Sequence, residues 1–413
     1  MSSSCLRRSI RSAIIDATAL AVMAALPVAS VRAADVTFQP SVELRAESSS
    51  NQGLNPVTTA ASDSYGGVAD FAAFMRINTP RGETWIRPKI KLQEYSERNH
   101  EPVEAFLDLR SHYNSLRSEL DLWAGYDRRD TYTAEFPNAV IDDNNPGDPT
   151  TPETGNSQIG LTRDRVEVRP TYTYKVNERT SVGAEVLYQT VRYSEETAQN
   201  RVNYDFAKAD GFVRWAMDSR SNIKAGGYVS RYDAKNEVNQ TDAYGGTVAF
   251  ERQWSETAGT TVEVIFERND VINEPEMIDE STSGWGAVAT SYWQGEVSEW
   301  QFSAGKTFTP TGRGGKSTAY QARVQYDRDL SARWQFRGAV RVLRDESINQ
   351  IGENGNRDYG RLESSLRWKM APTWFVEGGY SYTYQDRVSD PEAADDNKFF
   401  ISVGYLGLGP QRR

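Results

Sequence analysis

The sequence reads as all-β: a transmembrane, up-and-down antiparallel β-barrel of about 18 strands, with 16 the nearest alternative count. Three observations carry that reading. Apolar and polar residues alternate with period two in segment after segment, short turns alternate with longer polar connections, and tryptophans gather at one level of the strands.

The N-terminus comes first. Arg7, Arg8 and Arg11 form a basic region, an apolar stretch runs from Ala13 to about Ala29, and Val31-Arg32-Ala33 offers a small-residue cleavage site. The expectation is a cleaved signal over 1–33 and a barrel over 34–413. Cys5, the single cysteine, would leave with the signal.

The strands follow. Val36, Phe38, Pro40, Val42, Leu44 and Ala46 alternate with Thr37, Gln39, Ser41, Glu43, Arg45 and Glu47, so one face suits lipid and the other water. Val166 to Val176 repeats the pattern, as does Phe399 to Tyr405. Short turns fall at Pro80–Glu83, Asn114–Arg117, Val176–Thr180, Asp218–Ser221, Ser255–Gly259, Gln294–Ser298, Asp329–Arg333 and Ala371–Thr373. Between them lie longer connections such as Ser48–Asp63, Glu196–Asn203, Asp270–Thr282, Asp345–Arg357 and Arg387–Asn397. Short periplasmic turns and long outer loops are the sorting that an outer-membrane barrel imposes.

Aromatic placement is an independent indication. Trp85, Trp215, Trp254, Trp293, Trp300, Trp334, Trp368 and Trp374 lie near short turns, and all but Trp85 fall on apolar faces. Tyr65, Tyr126, Tyr204, Tyr232, Tyr244, Tyr320, Tyr359 and Tyr384 lie at the opposite ends. Two membrane–water interfaces select amphipathic rings at two levels. Composition agrees: only 38% of the residues are hydrophobic although there are ten Trp, 21 Tyr and 15 Phe, and mean hydropathy is −0.65. A helical membrane protein needs apolar runs of about 20 residues, which such a chain lacks outside its N-terminus. Two His and one Cys argue against metal or thiol chemistry, and a net charge of −10 against a nucleic-acid partner. No cofactor is expected.

The polar faces would line a water-filled lumen. Arg323, then Arg337 and Arg341, then Arg361, Arg367 and Lys369 form a basic wall on three consecutive strands, and Arg165 and Arg169 add to the lining. Guanidinium groups bind carboxylates and phosphates in a planar fork, so the wall would favour anions. The competing reading is a structural ladder neutralised by Asp327, Glu363 and Glu377. Arg87, Lys89 and Lys91 face a strand bearing Glu104 and Asp108, where pairing is expected. Trp123, Tyr228 and Tyr292 would either stack sugar rings or simply fill the lumen.

The third long connection, 128–163, contains Glu135, Asp142, Asp143, Asp148 and Glu153 with four prolines. Folded inward it would constrict the passage and set an acidic loop against the basic wall; folded outward it would be a lid. Asp142 and Asp143 lack the spacing of a calcium loop. Catalysis has little to work with, since only His100, beside Glu97 and Glu101, and His112 are available. Gly312 to Ser317 imitates a phosphate loop, but Pro310 occupies its first glycine position and no helix follows.

Asp164 to Tyr174, then Asn177-Glu178-Arg179-Thr180 and Val191-Arg192-Tyr193, resemble the β-barrel porin family of outer-membrane proteins that includes exopolysaccharide-system barrels. The resemblance implies a path for a polysaccharide across the outer membrane, with periplasmic polysaccharide-export proteins as partners beside the outer-membrane lipids. It carries over no active-site residue, and no enzyme is expected. The residues themselves leave open a passive or substrate-selective porin for small anions or oligosaccharides, and, third, a loop-based adhesin or outer-membrane enzyme.

Overall fold

The computed structural model describes residues 35–54, 63–96, 103–131, 134, 139, 161–194, 201–235, 240–273, 278–312, 315–347, 356–388 and 390–407. They form 18 strands: β1 (Asp35–Ser49), β2 (Ser64–Thr79), β3 (Gly82–Tyr95), β4 (Val103–Asn114), β5 (Ser118–Asp130), β6 (Thr162–Lys175), β7 (Thr180–Tyr193), β8 (Tyr204–Ala216) and β9 (Ser221–Ala234). The second half contains β10 (Gln240–Ser255), β11 (Ala258–Asn273), β12 (Ile278–Gln294), β13 (Ser298–Thr311), β14 (Gly315–Asp329), β15 (Trp334–Ser347), β16 (Arg357–Lys369), β17 (Trp374–Arg387) and β18 (Ala394–Leu406). Each strand pairs antiparallel with its neighbours in sequence, and β1 pairs with β18 from Ser41↔Leu406 to Ser49↔Lys398, closing the sheet. The expected strand number and up-and-down order are those observed. Closure leaves no sheet edge to face hydrocarbon, where an unpaired N–H or C=O costs several kcal/mol.

Alternation sets what faces lipid. Val36, Phe38 and Leu44 on β1 are exposed, as are Phe399, Ile401 and Val403 on β18. Trp215, Trp254, Trp293, Trp300, Trp334, Trp368 and Trp374 are exposed near the short turns, and Trp334 stacks on Trp368 across β15–β16 at 6.0 Å. Trp85 faces the lumen, as its pattern required, with the Arg87 guanidinium 5.1 Å from its ring. The tyrosines divide. Tyr65, Tyr244, Tyr320 and Tyr384 are exposed, whereas Tyr204, Tyr232 and Tyr359 are buried on the inner face. Their parity in the strand, rather than their height, decides this, so the outer girdle is thinner than the sequence suggested.

Loop lengths also need correction. Strands extend past their expected ends, leaving only 274–277 between β11 and β12, 388–393 between β17 and β18, and 312–314 between β13 and β14. The imitation of a phosphate loop therefore falls where β13 passes into β14, with Gly315, Lys316 and Ser317 already in β14. Prolines leave local gaps. The β2–β3 ladder is interrupted between Ala72↔Lys89 and Met75↔Ile86, beside Pro88, and β6–β7 between Val168↔Tyr188 and Thr171↔Glu185, beside Pro170, because proline has no N–H to donate.

On the inner face, glycines meet aromatic rings across the ladder: Gly404 opposite Phe375, Gly379 opposite Phe400, Gly183 opposite Phe212 and Gly66 opposite Tyr95. A Cβ at any of the four would collide with the ring, so the aromatic side chain covers the missing one. Gly404→Val is expected to destabilise the barrel by about 1–3 kcal/mol, the usual cost of overpacking, measured as a lower urea midpoint for unfolding from lipid vesicles.

Candidate functional site

The inner face at mid-barrel holds the basic wall. The register sets Arg323 opposite Arg341 and Arg341 opposite Arg361, a row of three guanidinium groups at one height across β14, β15 and β16. Like charges directly opposite destabilise a sheet, so the row needs compensation. Arg361 pairs with Glu363 at 2.6 Å, Arg341 donates to the Gln321 side-chain carbonyl at 3.3 Å, and Arg323 Nε donates to the Ala139 carbonyl at 2.6 Å. Further towards the periplasm, Arg337 donates to Asp327 and Arg367 to Glu377, at 2.6 and 2.7 Å, while Lys369 stands 3.9 Å from Asp329 at the rim. Asp327, Glu363 and Glu377 are the neutralising carboxylates the sequence singled out. Arg341 is 1% exposed, so this wall is in part a ladder, with Arg337 and Lys369 its more open members.

Ala139 belongs to the third outer connection. Its N–H donates to Glu363 at 3.1 Å while its carbonyl accepts from Arg323, so Ala139 lies against the wall on two strands. The neck is fixed by the Thr131 N–H on the Leu161 carbonyl at 2.8 Å, and by Glu104, which accepts from Asp130 N and Lys91 Nζ, both at 3.2 Å. Ala134 is fully buried. Glu135, Asp142, Asp143 and Asp148 lie outside the described residues. Residues 50–54, at the start of the first outer connection, turn inward too. Leu54 sits at φ 44° and is buried with Ala319, Leu343, Tyr359 and Ala394; that apolar burial offsets the left-handed backbone.

A second charged wall lies on β4–β6. Asp127 accepts from Arg129 at 2.8 Å and from Arg163 at 2.7 Å, while Glu167 holds Arg165 on one side and Arg169 on the other. Sequence reasoning found Arg165 and Arg169 but missed Arg129 and Arg163, which it had assigned to the loop. Their signal was alternation continuing past Tyr126. On β3, Arg87 pairs with Asp108 and Lys91 with Glu104 as expected, and Lys89 turns instead to Asp70 on β2 at 3.4 Å.

The three inward aromatics differ. Trp123 donates to Asp108 at 2.8 Å and lies under Arg169 at 5.4 Å. With Trp85, Arg110, His112, Asp121 and Arg169 it lines a cavity of about 470 Å³ near the short-turn end. Tyr292 sits at the same rim, its hydroxyl 3.1 Å from Gln253. Tyr228 is buried and donates to Glu267 at 2.7 Å, so it fills wall rather than offering a stacking face.

His112 Nδ1 lies 2.5 Å from Asp121 and 3.8 Å from Glu119, with the Asn114 amide 2.6 Å from Nε2. Among the described residues this is the one grouping with a metal-ligating donor set, brought together by the register His112↔Asp121. The hydrogen bond to Asp121 satisfies the ring without an ion. No nucleophile bonds to the ring among the described residues, and His100 lies outside them.

A closed 18-stranded barrel with an apolar belt, tryptophans at one interface and a charged interior defines an outer-membrane β-barrel channel of porin type. Solved structures similar to this chain include OccAB2 of Acinetobacter baumannii (8% identity, 90% of this chain and 98% of that one, TM-score 0.45). Two others come from Pseudomonas aeruginosa: OccK2 (OpdF), at 10% identity over 90% and 98% with TM-score 0.45, and the outer membrane protein OpdK, at 9% over 90% and 98% with TM-score 0.42. No family model matches the sequence, and no curated protein matches it.

Replacing Asp127 by Asn would remove the carboxylate that Arg129 and Arg163 share. The expected loss is about 3–5 kcal/mol, measured by thermal unfolding in detergent, with Asp127→Glu milder.

Proposed function

We propose that the protein is a selective channel for small anionic hydrophilic solutes. The observation that carries this reading is the arginine row with Ala139 of the third connection set against it. Arg323, Arg341 and Arg361 lie side by side, and a carbonyl and an N–H of Ala139 approach that wall. Fixed positive charge beside a narrowed aqueous path raises the local concentration of anions and repels cations. Arg337 and Lys369 below, and Arg110 and Arg169 towards the same short-turn end on the β4–β6 side, are partly exposed and continue the path.

The inward Ala139 and Leu54 favour small solutes over the polysaccharide that the family resemblance implied. Eighteen strands alone would leave a wide lumen. With Leu54 and Ala139 set against its inner wall, a polymer chain has less room than a small ion. Export partners docking at the short turns are no longer needed by this reading. Residues 1–33 lie outside the described residues and are assigned to a cleaved export signal from their charge, apolar run and small-residue site, which N-terminal sequencing of the membrane form would check.

Reversal potentials in planar bilayers under a KCl gradient test the anion preference. Changing Arg323, Arg337 and Arg361 to Gln should lower the anion-to-cation permeability ratio by roughly threefold or more, since such clusters create potentials of several kT. An unchanged ratio would remove the basic wall from selectivity. Deleting the gene separates the two cargoes: lowered solute uptake with normal surface polysaccharide is expected, and lost polysaccharide would restore the export reading.

A further inference from the structure

Strand β12 is paired with β11 along its whole length, but with β13 only from Gln294↔Glu299 to Ala287↔Lys306. Strand β13 goes on pairing with β14 as far as Thr311↔Gly315. The outer part of the β12–β13 seam is therefore open: residues 278–286 of β12 and 307–311 of β13 have no ladder between them.

The β13–β14 hairpin has gone inward. Its register places Phe308, Pro310, Lys316 and Thr318 in the column that continues the lipid-facing Trp300 and Phe302. Lys316 nevertheless is 4% exposed, with Nζ 2.6 Å from Glu267 and 3.0 Å from Asn269, both on the inner face of β11. The Gly312 carbonyl accepts from Val202 N at 2.7 Å and the Thr311 carbonyl from the Tyr232 hydroxyl at 3.0 Å. The outward column of the hairpin thus lies against the inner face of the wall. Gly284 and Gly286 make the space: a Cβ on Gly284 would stand 3.0 Å from the Phe308 ring, and one on Gly286 would stand 2.6 Å from the Lys306 carbonyl. Glycine within a strand commonly marks such a close approach.

A second arrangement is available to the same strands. Continuing the register past Ala287↔Lys306 would set Gly286 opposite Thr307, Trp285 opposite Phe308 and Gly284 opposite Thr309, and restore the ladder. The inward arrangement forgoes those backbone bonds and gains the Lys316 pair, two cross-lumen hydrogen bonds and the packing of Phe308. We propose that the β13–β14 hairpin is a hinged lid over the outer mouth, latched inward by Lys316 on Glu267 and opened when β13 zips onto the free edge of β12. The proposal rests on the channel reading, and it assigns Gly284, Gly286, Glu267 and Lys316 to gating.

Two disulfides in the full-length Cys5→Ser protein test it, since each fits one arrangement. Val202→Cys with Gly312→Cys bridges backbones hydrogen-bonded in the inward form. Trp285→Cys with Phe308→Cys can close only in the zipped form, because in the inward form the two side chains lie on opposite faces of β12 and cannot meet. Both should form on oxidation. The first should lower single-channel conductance by at least about twofold and the second raise it by as much, each reversed by reductant, as for a lid that gates access. Gly284→Val, which crowds Phe308 only in the inward form, should raise conductance without any cross-link. The lid is refuted if the 285–308 bridge never forms while the 202–312 bridge does, or if both form and conductance stays the same. A wild-type protein that does not conduct would sink the channel reading instead, while the cross-links would still report whether the hairpin moves.

Discussion

Everything in this molecule follows from one demand: in hydrocarbon each backbone N–H and C=O must find a partner within the protein. A sheet meets that demand only by returning to its first strand, and the pairing of β1 with β18 is where it does. Once the ladder is closed, the outer face needs only alternate apolar residues and the inner face is free to be polar. That is why a chain with 38% hydrophobic residues can reside in a membrane. The gaps beside Pro88 and Pro170 are local because the other ladder of each strand is intact there. The one extended opening, between β12 and β13, falls at the outer end of the wall, towards water.

Inside, charge is managed by alternation as well. Residues two apart on a strand share a face, so Arg45 finds Glu43, Arg129 finds Asp127 and Arg361 finds Glu363 on their own strands. Cross-strand pairs such as Arg337–Asp327 and Arg367–Glu377 join neighbouring strands into one network. Such pairs hold the lumen side chains in place but add modest stability where they are wet. The arginine row differs because its register sets like charges together. Its compensation comes partly from a backbone carbonyl of a distant connection, at Ala139. The contact that stabilises the wall is therefore also the one that brings Ala139 against it.

The outer mouth is built from segments that leave the cylinder. Leu54, Ala139 and the β13–β14 hairpin all turn inward, and each is secured by something the barrel wall presents: an apolar patch, a charged row, or the Glu267–Asn269 pair. A rigid wall with movable inward elements is a general way to combine a stable membrane span with selective passage.

Legible in the sequence were the up-and-down order, a strand number near 18, the level of the tryptophans and the carboxylates Asp327, Glu363 and Glu377 that neutralise the basic wall. These depend on period two and on nearest neighbours, which are local. Tyr204, Tyr232 and Tyr359 were misassigned to the outer girdle because height along a strand is easier to read than parity near its frayed end. Only the tertiary structure decided that Arg323, Arg341 and Arg361 stand at one height, that His112 meets Asp121, that Ala139 reaches Glu363, and that Lys316 crosses to Glu267. Each of these depends on register or on chain segments far apart in sequence, and a one-residue shift of register would undo them. Gly284 and Gly286 show the limit most plainly. In the sequence they are two small residues in a strand; in the fold they are the space into which a neighbouring strand bends.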